Sequence, residues 1–229
     1  MKKRLLIDNR YIDVAEKKWG SEFCILPSFS LQNVDEPVCC HPDMSIVRVG
    51  NTYLCEKTSF EYYKNLLPDL DIVSGNKALS FNYPEDIAYN VLISENIAIG
   101  NFKYTDSVVK DELKKQNIKM QNTNQGYAKC ATVSFKNSVI TADLSIYNSA
   151  AEIGLNALLI SKGNVKLSGY NYGFLGGTSG FIDNRLLFFG DITHHPDFEK
   201  IRDFIENQNV EIDYIENYPL TDVGTIIGI

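Results

Sequence analysis

The segment Cys40-His41-Pro42-Asp43 places a thiol, an imidazole and a carboxylate within four residues. A cysteine nucleophile needs a neighbouring group that moves protons, and histidine is the residue that most often does so. The segment therefore suggests a hydrolase that attacks through Cys40 with His41 as its proton shuttle. A turn fixed by Pro42 is the simpler interpretation, and it is the one we favour.

A second candidate thiol, Cys130, directly follows Lys129. A nearby cation lowers the pKa of a thiol and makes it more reactive. Adjacent residues of a strand, however, point to opposite faces, so the ammonium and the thiol need not meet. We expect Cys130 to be a buried and inert cysteine.

Three carboxylates, those of Asp43, Asp86 and Asp222, each precede an apolar run. Carboxylates that converge on one point bind a guanidinium or ammonium group through charge-assisted hydrogen bonds. Asp also caps backbone amides where strands begin, and the sequence leaves both interpretations open. The candidate ligand-binding residues are Asp43, Asp86, Asn90, Lys129, Thr178, Ser179 and Asp222.

The sequence indicates neither a metal site nor a cofactor. Cys39 and Cys40 are adjacent and no Cys-x-x-Cys pair exists, which argues against zinc. His194 and His195 precede Pro196 at an expected helix start, where capping or solvent exposure explains them. The glycine-rich segment 173–180 leads into a strand, whereas a phosphate-binding loop leads into a helix.

These residues must be positioned by a fold, and the chain predicts one by repeating itself. Four segments read as an apolar strand, a turn ending in Asn, and a second apolar strand. The Asn residues lie 41 to 47 residues apart, a period typical of modular arrays, at Asn51, Asn96, Asn137 and Asn184. Gly and Asn tolerate the left-handed backbone of tight hairpins, which gives the repeat a physical basis.

A helix and a short strand are expected after each hairpin, so that each unit is ββαβ. Capping boxes predict helices from Thr58 and from Ser149, the latter over 153–159, and Asp106 or Thr105 caps 108–116. Pro196 begins a helix that runs to about 207. The short third strands are expected at 71–73, 117–120, 164–167 and 210–214.

The chain ends supply a fifth unit in two pieces. Residues 3–7, 11–19 and 23–26 read as its second strand, helix and last strand, and 222–229 as its first strand. Each unit is too small to cover its own apolar face, and no polar capping repeat is visible. We therefore predict an α/β five-bladed propeller that closes around a pseudo-fivefold axis, with residues 1–229 as a single domain.

Composition narrows the function classes. A chain of 229 residues with 44% hydrophobic content can bury a full core, and no stretch approaches the roughly 18 apolar residues of a membrane span. No signal peptide is expected, and five cysteines suit a reducing cytoplasm. The net charge of −7, without a basic cluster beyond the first four residues, argues against nucleic acid as a partner.

The predicted ring of five ββαβ units resembles the pentein fold of the guanidino-group-modifying enzymes. Within that superfamily the chain is most similar to an uncharacterised bacterial family. The motifs that carry this resemblance are Cys40–Asp43, Tyr83–Asn90, Lys103–Asp106, Gln125–Cys130, Tyr172–Gly180 and Asp222–Gly224. The resemblance implies arginine deiminases, amidinotransferases and dimethylarginine hydrolases as possible relatives, together with non-enzymatic ribosome anti-association factors.

The catalytic members resemble one another in a Cys nucleophile, a His-x-Asp/Glu pair and carboxylates that hold the guanidinium. Their nucleophile follows a glycine-rich turn in the last unit, and matching that turn onto 176–180 leaves Ser179 or Gly180 in its place. The His-x-Asp/Glu pair should open the fourth unit, where this chain has Lys129-Cys130-Ala131. The standard mechanism therefore does not transfer.

These observations favour a protein that binds a small cationic molecule in an acidic axial pocket without chemistry. The alternative is a variant guanidino or amidino hydrolase or transferase that uses Cys130 or Cys40, with His41. A third possibility is a non-enzymatic pentein that binds a macromolecule, which the net charge of −7 makes the weakest of the three.

Overall fold

The apolar segments on either side of each Asn fold as β-hairpins in a computed structural model, which describes residues 2–229. In each hairpin the residue before the Asn has a positive φ, from 46° to 59°. Asn184 shares this conformation with φ 61°. The left-handed backbone predicted for the Asn is therefore mostly adopted one residue earlier.

Within residues 2–229 the structure has fifteen strands and six α-helices. The strands are β1 Arg4–Ile7, β2 Cys24–Pro27, β3 Ile46–Val49, β4 Thr52–Cys55, β5 Asp71–Ser74, β6 Leu92–Ser94, β7 Ile97–Gly100, β8 Lys119–Asn122, β9 Thr132–Phe135, β10 Ser138–Thr141, β11 Asn156–Leu159, β12 Ser179–Ile182, β13 Arg185–Phe188, β14 Glu211–Tyr214 and β15 Ile227–Gly228. The helices are α1 Ile12–Trp19, α2 Pro42–Ser45, α3 Phe60–Leu66, α4 Ser107–Lys115, α5 Leu144–Glu152 and α6 Phe198–Glu206.

The strands form five three-stranded sheets among the described residues, one for each unit. In each sheet the second strand lies in the middle, antiparallel to the first strand and parallel to the third. A crossover helix joins the second strand to the third, as parallel pairing requires. This arrangement confirms the five ββαβ units.

The two ends of the chain meet and close the ring. Strand β15 pairs antiparallel with β1, with Leu5 opposite Gly228 and Leu6 opposite Ile227. On its other side β1 pairs parallel with β2. The C-terminal strand therefore completes the unit that the N-terminus begins, as the sequence predicts.

The first strand of each unit faces the ring axis. Strand β6 lies beside β9, β9 beside β12, and β12 beside β15. All five first strands line one central cavity. The segments that precede these strands are therefore brought to one end of the axis.

The fourth unit differs from the sequence expectation. Its helix is α5, capped by Asp143 through the amides of Ser145 and Ile146, and not a helix over 153–159. The expected helix segment instead contains β11, while 164–167 contributes an isolated bridge between Lys166 and Thr221. Ser149 resembles a helix cap in sequence but lies inside the last turns of α5.

Helix capping follows a rule of which the sequence analysis detected one case, the cap at Asp106. An acidic residue after the second strand of each unit accepts hydrogen bonds from the next turn or helix, at Asp8, Glu56, Asp106, Asp143 and Asp191. In the second unit Glu56 does this, in place of the predicted capping box at Thr58. These carboxylates satisfy backbone amides that would otherwise lack partners.

Apolar packing joins neighbouring units. Trp19 and Phe189 are fully buried, with ring centroids 6.2 Å apart, and connect the split unit to the last one. Trp19 Nε1 also donates to Asp213 Oδ2 at 2.9 Å. Burying each large apolar side chain stabilises the fold by about 1.5–3 kcal/mol, so these contacts hold the axial segments in register. No helix of the described chain is both long enough and apolar enough to cross a bilayer.

Candidate functional site

Four polar side chains from three distant segments meet at the axis. His41 and Asp43 lie at the short helix α2, Cys130 lies in the turn before β9, and Asp222 lies before β15. Each is at most 5% exposed. One donor atom each from His41, Asp43 and Cys130 lies within 4.8 Å of the others. We call these four residues the axial cluster.

The Asp43 carboxylate is only half satisfied. Its Oδ2 accepts a 2.7 Å hydrogen bond from the Thr225 hydroxyl, while its Oδ1 has no partner among residues 2–229. Its backbone amide donates to Gly224 O at 3.1 Å. Thr225 is a site residue that the sequence analysis missed, and its φ of 72° is unusual for a β-branched residue.

The His41 imidazole lies between two carboxylates without a hydrogen bond to either. Its Nδ1 is 3.8 Å from Asp222 Oδ1 and its Nε2 is 3.9 Å from Asp8 Oδ2. Neither nitrogen has a hydrogen-bond partner in the described chain. Gly224 packs against this imidazole so closely that any side chain there would overlap His41.

Asp8 is held in place by Arg10. The Arg10 guanidinium donates to Asp8 Oδ1 at 2.9 Å through Nε and to Oδ2 at 2.6 Å through Nη2. Burial opposes the charge of Arg10, but these hydrogen bonds raise its pKa overall. The sequence analysis missed Asp8, and its position directly after β1, equivalent to the other capping acids, is the signal that could have found it.

Asp222 accepts two backbone hydrogen bonds. Phe174 N donates to its Oδ2 at 2.8 Å and Gly224 N to its Oδ1 at 3.0 Å. A side chain at Gly177 would overlap this carboxylate, which explains one glycine of the glycine-rich segment. Burial raises the pKa of Asp222 even though His41 favours the charged form.

The Cys130 thiol lies 3.7 Å and 3.8 Å from the two Asp222 carboxylate oxygens. Burial raises the pKa of Cys130 well above its usual value, and the charges of Asp222 and Asp43 raise it further. The carboxylates thus oppose the activation that the neighbouring Lys129 suggested from sequence. Cys130 is buried, as expected, but it belongs to a polar cluster and not to the apolar core.

Asn90 connects three units at the axis. Its Oδ1 accepts from Lys129 N at 2.8 Å and from Cys130 N at 3.2 Å, and its Nδ2 lies 3.4 Å from Asp43 O. Residue Lys129 is half-buried, and its Nζ lies 3.4 Å from Ser134 Oγ. Burial lowers the pKa of Lys129, and the Asp43 charge opposes this change.

A central cavity of about 640 Å³ follows the first strands from the hairpin turns to the axial cluster. Asp43, Lys129 and Thr225 line its inner end, and Arg48, Glu95 and Lys136 are its other charged lining residues. Charges of both signs therefore line the cavity. The group of converging carboxylates expected from the sequence is found only in part, at the axial cluster next to the inner end of the cavity.

Asp86 does not join the axial cluster by any contact among residues 2–229. Its Oδ2 accepts a hydrogen bond from the Tyr127 hydroxyl, and its Oδ1 has no partner there. Burial raises the pKa of Asp86, and the Asp35 charge adds to this effect. The equivalence of Asp86 with Asp43 and Asp222, inferred from the repeat, is therefore not reflected in a shared site.

The remaining candidates make local contacts. The Thr178 hydroxyl donates to Leu175 O at 2.8 Å and the Ser179 hydroxyl to Gly176 O at 2.9 Å. These side chains stabilise their own turn. Cys40 lies 3.2 Å from Ser30 Oγ and 3.4 Å from Cys39 Sγ.

The five units around a polar axis define a pentein fold, and solved structures confirm it. The chain is similar to dimethylarginine dimethylaminohydrolase from Pseudomonas aeruginosa, a cysteine-to-serine mutant complexed with citrulline, with a TM-score of 0.56 and 9% identity over 94% of this chain and 92% of that one. It is similar to the agmatine deiminase of C. jejuni, with a TM-score of 0.55 and 8% identity over 94% and 88% of the two chains. It is also similar to SxtG, an amidinotransferase of the saxitoxin biosynthetic pathway from Microseira wollei, with a TM-score of 0.53 and 10% identity over 94% and 88%.

The chain belongs to DUF6873, a family of unknown function, whose family model matches residues 6–227. No curated protein matches the sequence.

Proposed function

We propose that the protein binds a small cation with a guanidinium, amidinium or amine group at the inner end of the axial cavity. The observation that carries this proposal is the Oδ1 atom of Asp43. It is a buried acceptor without a partner among residues 2–229, on a side chain that lines the cavity. A buried acceptor that lacks a hydrogen bond costs about 1–3 kcal/mol, and more when it is charged. An N–H donor of a cationic ligand removes that cost.

The surroundings of Asp43 suit such a ligand. Thr225 fixes one carboxylate oxygen and leaves the other available, which sets the direction from which a donor approaches. Asp222 adds a second negative charge in the same cluster. Hydrogen bonds to charged groups contribute about 1.5–3 kcal/mol each. The names of the similar solved structures include a deiminase of agmatine and an amidinotransferase, which supports a guanidino ligand.

The test is a binding titration with agmatine, arginine and dimethylarginine, with neutral citrulline as the control ligand, on protein from which metals have been removed with a chelator. We expect at least one cationic probe to raise the melting temperature and to give saturable heat in calorimetry, because a ligand that binds only the folded state stabilises it. Asp43→Asn removes the charge with little change in shape, and it should abolish the effect. Glu95→Gln, in the outer part of the same cavity, should leave it unchanged.

Three results would contradict the proposal. The first is the absence of any shift with all cationic probes, and the second is equal binding by the wild type and Asp43→Asn. The third is equal binding of citrulline, which would show that charge is not recognised.

A second candidate is hydrolysis of the guanidino group through Cys130, which is favoured by the position of its thiol next to His41. In this reaction the Cys130 sulfur attacks the guanidino carbon and its proton passes to His41. The C–N bond then breaks, and ammonia or an amine leaves with that proton. Water attacks the same carbon and breaks the C–S bond, which yields the ureido compound and the free thiol.

A colorimetric assay for ureido product from agmatine or arginine tests this candidate. We expect Cys130→Ser to abolish the product and Cys40→Ser to retain it, since Cys40 contacts Ser30 and Cys39. If the wild type binds the probe but releases no ureido product, the protein is a binding protein and not a hydrolase.

A further inference from the structure

The axial cluster combines the donor types that bind a transition metal. His41, Asp43 and Cys130 offer a nitrogen, an oxygen and a sulfur within 4.8 Å of one another. Asp222 adds a carboxylate 3.7 Å from the Cys130 sulfur and 3.8 Å from His41 Nδ1. From this geometry we infer that His41, Asp43, Cys130 and Asp222 bind one zinc ion.

The unsatisfied atoms of the cluster support this inference independently of its composition. Both nitrogens of His41 and the Oδ1 of Asp43 are buried and have no hydrogen-bond partner among residues 2–229. Buried polar groups without partners are rare in folded proteins, and each calls for an explanation. A metal ion coordinated by His41 Nδ1 and by Asp43 Oδ1 would explain why both residues lack hydrogen-bond partners.

The distances are close to those of a tetrahedral site. Zinc binds sulfur at about 2.3 Å and nitrogen or oxygen at about 2.0–2.2 Å, so neighbouring ligand atoms are roughly 3.3–3.8 Å apart. The two separations that involve Asp222, 3.7 Å and 3.8 Å, fall in this range. The ligand atoms of His41, Asp43 and Cys130 lie within 4.8 Å of one another, so these three side chains must close by up to about 1 Å.

The surroundings of His41 match the second layer of a zinc site. When one nitrogen of a ligating histidine binds the metal, the other usually donates to a carboxylate. His41 Nδ1 faces Asp222, and its Nε2 lies 3.9 Å from Asp8 Oδ2. Arg10 holds Asp8, and backbone amides of Phe174 and Gly224 hold Asp222.

The donor set selects the metal. Magnesium and calcium prefer oxygen ligands alone, whereas a thiolate with an imidazole and carboxylates suits zinc. On binding, the Cys130 thiol gives its proton to solvent and forms a sulfur–zinc bond. The sequence analysis did not find this site because its ligands come from three separate segments, with His41 and Asp222 181 residues apart, and they include no Cys-x-x-Cys pair.

The test uses the full-length protein after removal of metals with a chelator. We expect it to take up one equivalent of Zn²⁺ against a chromophoric competitor, and to give with Co²⁺ the sulfur-to-metal charge-transfer band and strong visible bands of a tetrahedral thiolate site. Cys130→Ser should abolish the charge-transfer band, and Asp8→Asn should weaken binding about 10–100-fold. Cys40→Ser is the matched control and should change neither quantity.

X-ray absorption of the zinc-loaded wild type keeps the inference testable if a variant fails to fold. One sulfur and three nitrogen or oxygen neighbours are expected. A shell without sulfur, or a charge-transfer band that survives in Cys130→Ser, would overturn the assignment.

The zinc site and the proposed organic ligand share Asp43, so zinc should reduce the thermal shift caused by a guanidino probe. Their failures remain distinguishable, because the probe titration uses the metal-free protein and the Co²⁺ spectrum needs no probe. The Cys130→Ser variant should no longer bind zinc but should still bind the guanidino probe.

Discussion

Replacing Asp106 with alanine should destabilise the protein more than replacing any exposed acid. Asp106 is fully buried, and its Oδ1 accepts from Val108 N at 2.8 Å as the cap of α4. Its Oδ2 accepts from Asn76 N at 3.0 Å and Lys77 N at 2.8 Å. One carboxylate therefore joins the helix of its own unit to the loop that follows β5.

The size of the effect follows from these three hydrogen bonds. Losing an N-cap costs about 0.5–2 kcal/mol. Each further hydrogen bond contributes about 0.5–1.5 kcal/mol, and water can reach the exposed Asn76 and Lys77 after the change. Together these contributions predict that Asp106→Ala lowers the free energy of unfolding by about 3 kcal/mol.

Urea denaturation followed by circular dichroism measures this change. Asp111 is the matched control, because it lies on the same helix, its side chain is 71% exposed and it forms a surface ion pair with Lys114. Asp111→Ala should change stability by less than about 0.5 kcal/mol. A loss below about 1 kcal/mol for Asp106→Ala, or equal losses for the two variants, would refute the assignment of this acid as a structural cap.

Three further outcomes are expected. Thr225→Val removes the hydroxyl that donates to the buried axial carboxylate and should lower the free energy of unfolding by about 1–3 kcal/mol, whereas Thr225→Ser should retain most of it in the same denaturation assay. The amide of Ser161 and nearby donors lower the pKa of Asp197 to about 2. Asp197 therefore stabilises the folded state by about 2 kcal/mol above pH 4, and this stabilisation is lost as the pH falls toward 2. The stability difference between wild type and Asp197→Asn should shrink over that range, and a difference that stays constant would contradict the lowered pKa. Iodoacetamide should modify the exposed Cys24 well before the 5% exposed Cys130 in the native protein. Mass spectrometry measures the order of modification, and modification of Cys130 first would show that solvent reaches the axial cluster.

The sequence predicted the ring because the signals that define it are local and repeated. Two-residue turns between apolar runs specify hairpins, and four copies 41 to 47 residues apart outweigh the ambiguity of each single copy. The split fifth unit followed from the pattern at residues 3–7 and 222–229, and the pairing of β15 with β1 confirms it. The fourth helix was misplaced because Ser149 and Glu152 have the spacing of a capping box, while the true cap, Asp143, has no acidic partner three residues later.

The candidate site was predicted less completely because connectors between units differ in length. Asp43 lies three residues before β3, whereas Asp86 lies six residues before β6. Aligning the two by their charge therefore placed Asp86 in a column that Asn90 occupies in space. Thr225 was missed because a hydroxyl that fixes a carboxylate from 182 residues away leaves no local pattern.

The carboxylates of the helix caps and the Asp43 carboxylate differ in whether both of their oxygens have hydrogen-bond partners. In the acids that cap helices, both carboxylate oxygens accept hydrogen bonds. Asp106 accepts from backbone amides on both oxygens, and Asp143 accepts from a backbone amide on one oxygen and from the Gln125 side chain on the other. Asp43 instead retains a buried oxygen without a partner, next to an imidazole in the same condition. An apolar residue of similar size at either position would remove that cost to stability. Asp86 also retains an oxygen without a partner among residues 2–229, but of the two only the Asp43 carboxylate lines the axial cavity, and this is why we propose the cation site at Asp43.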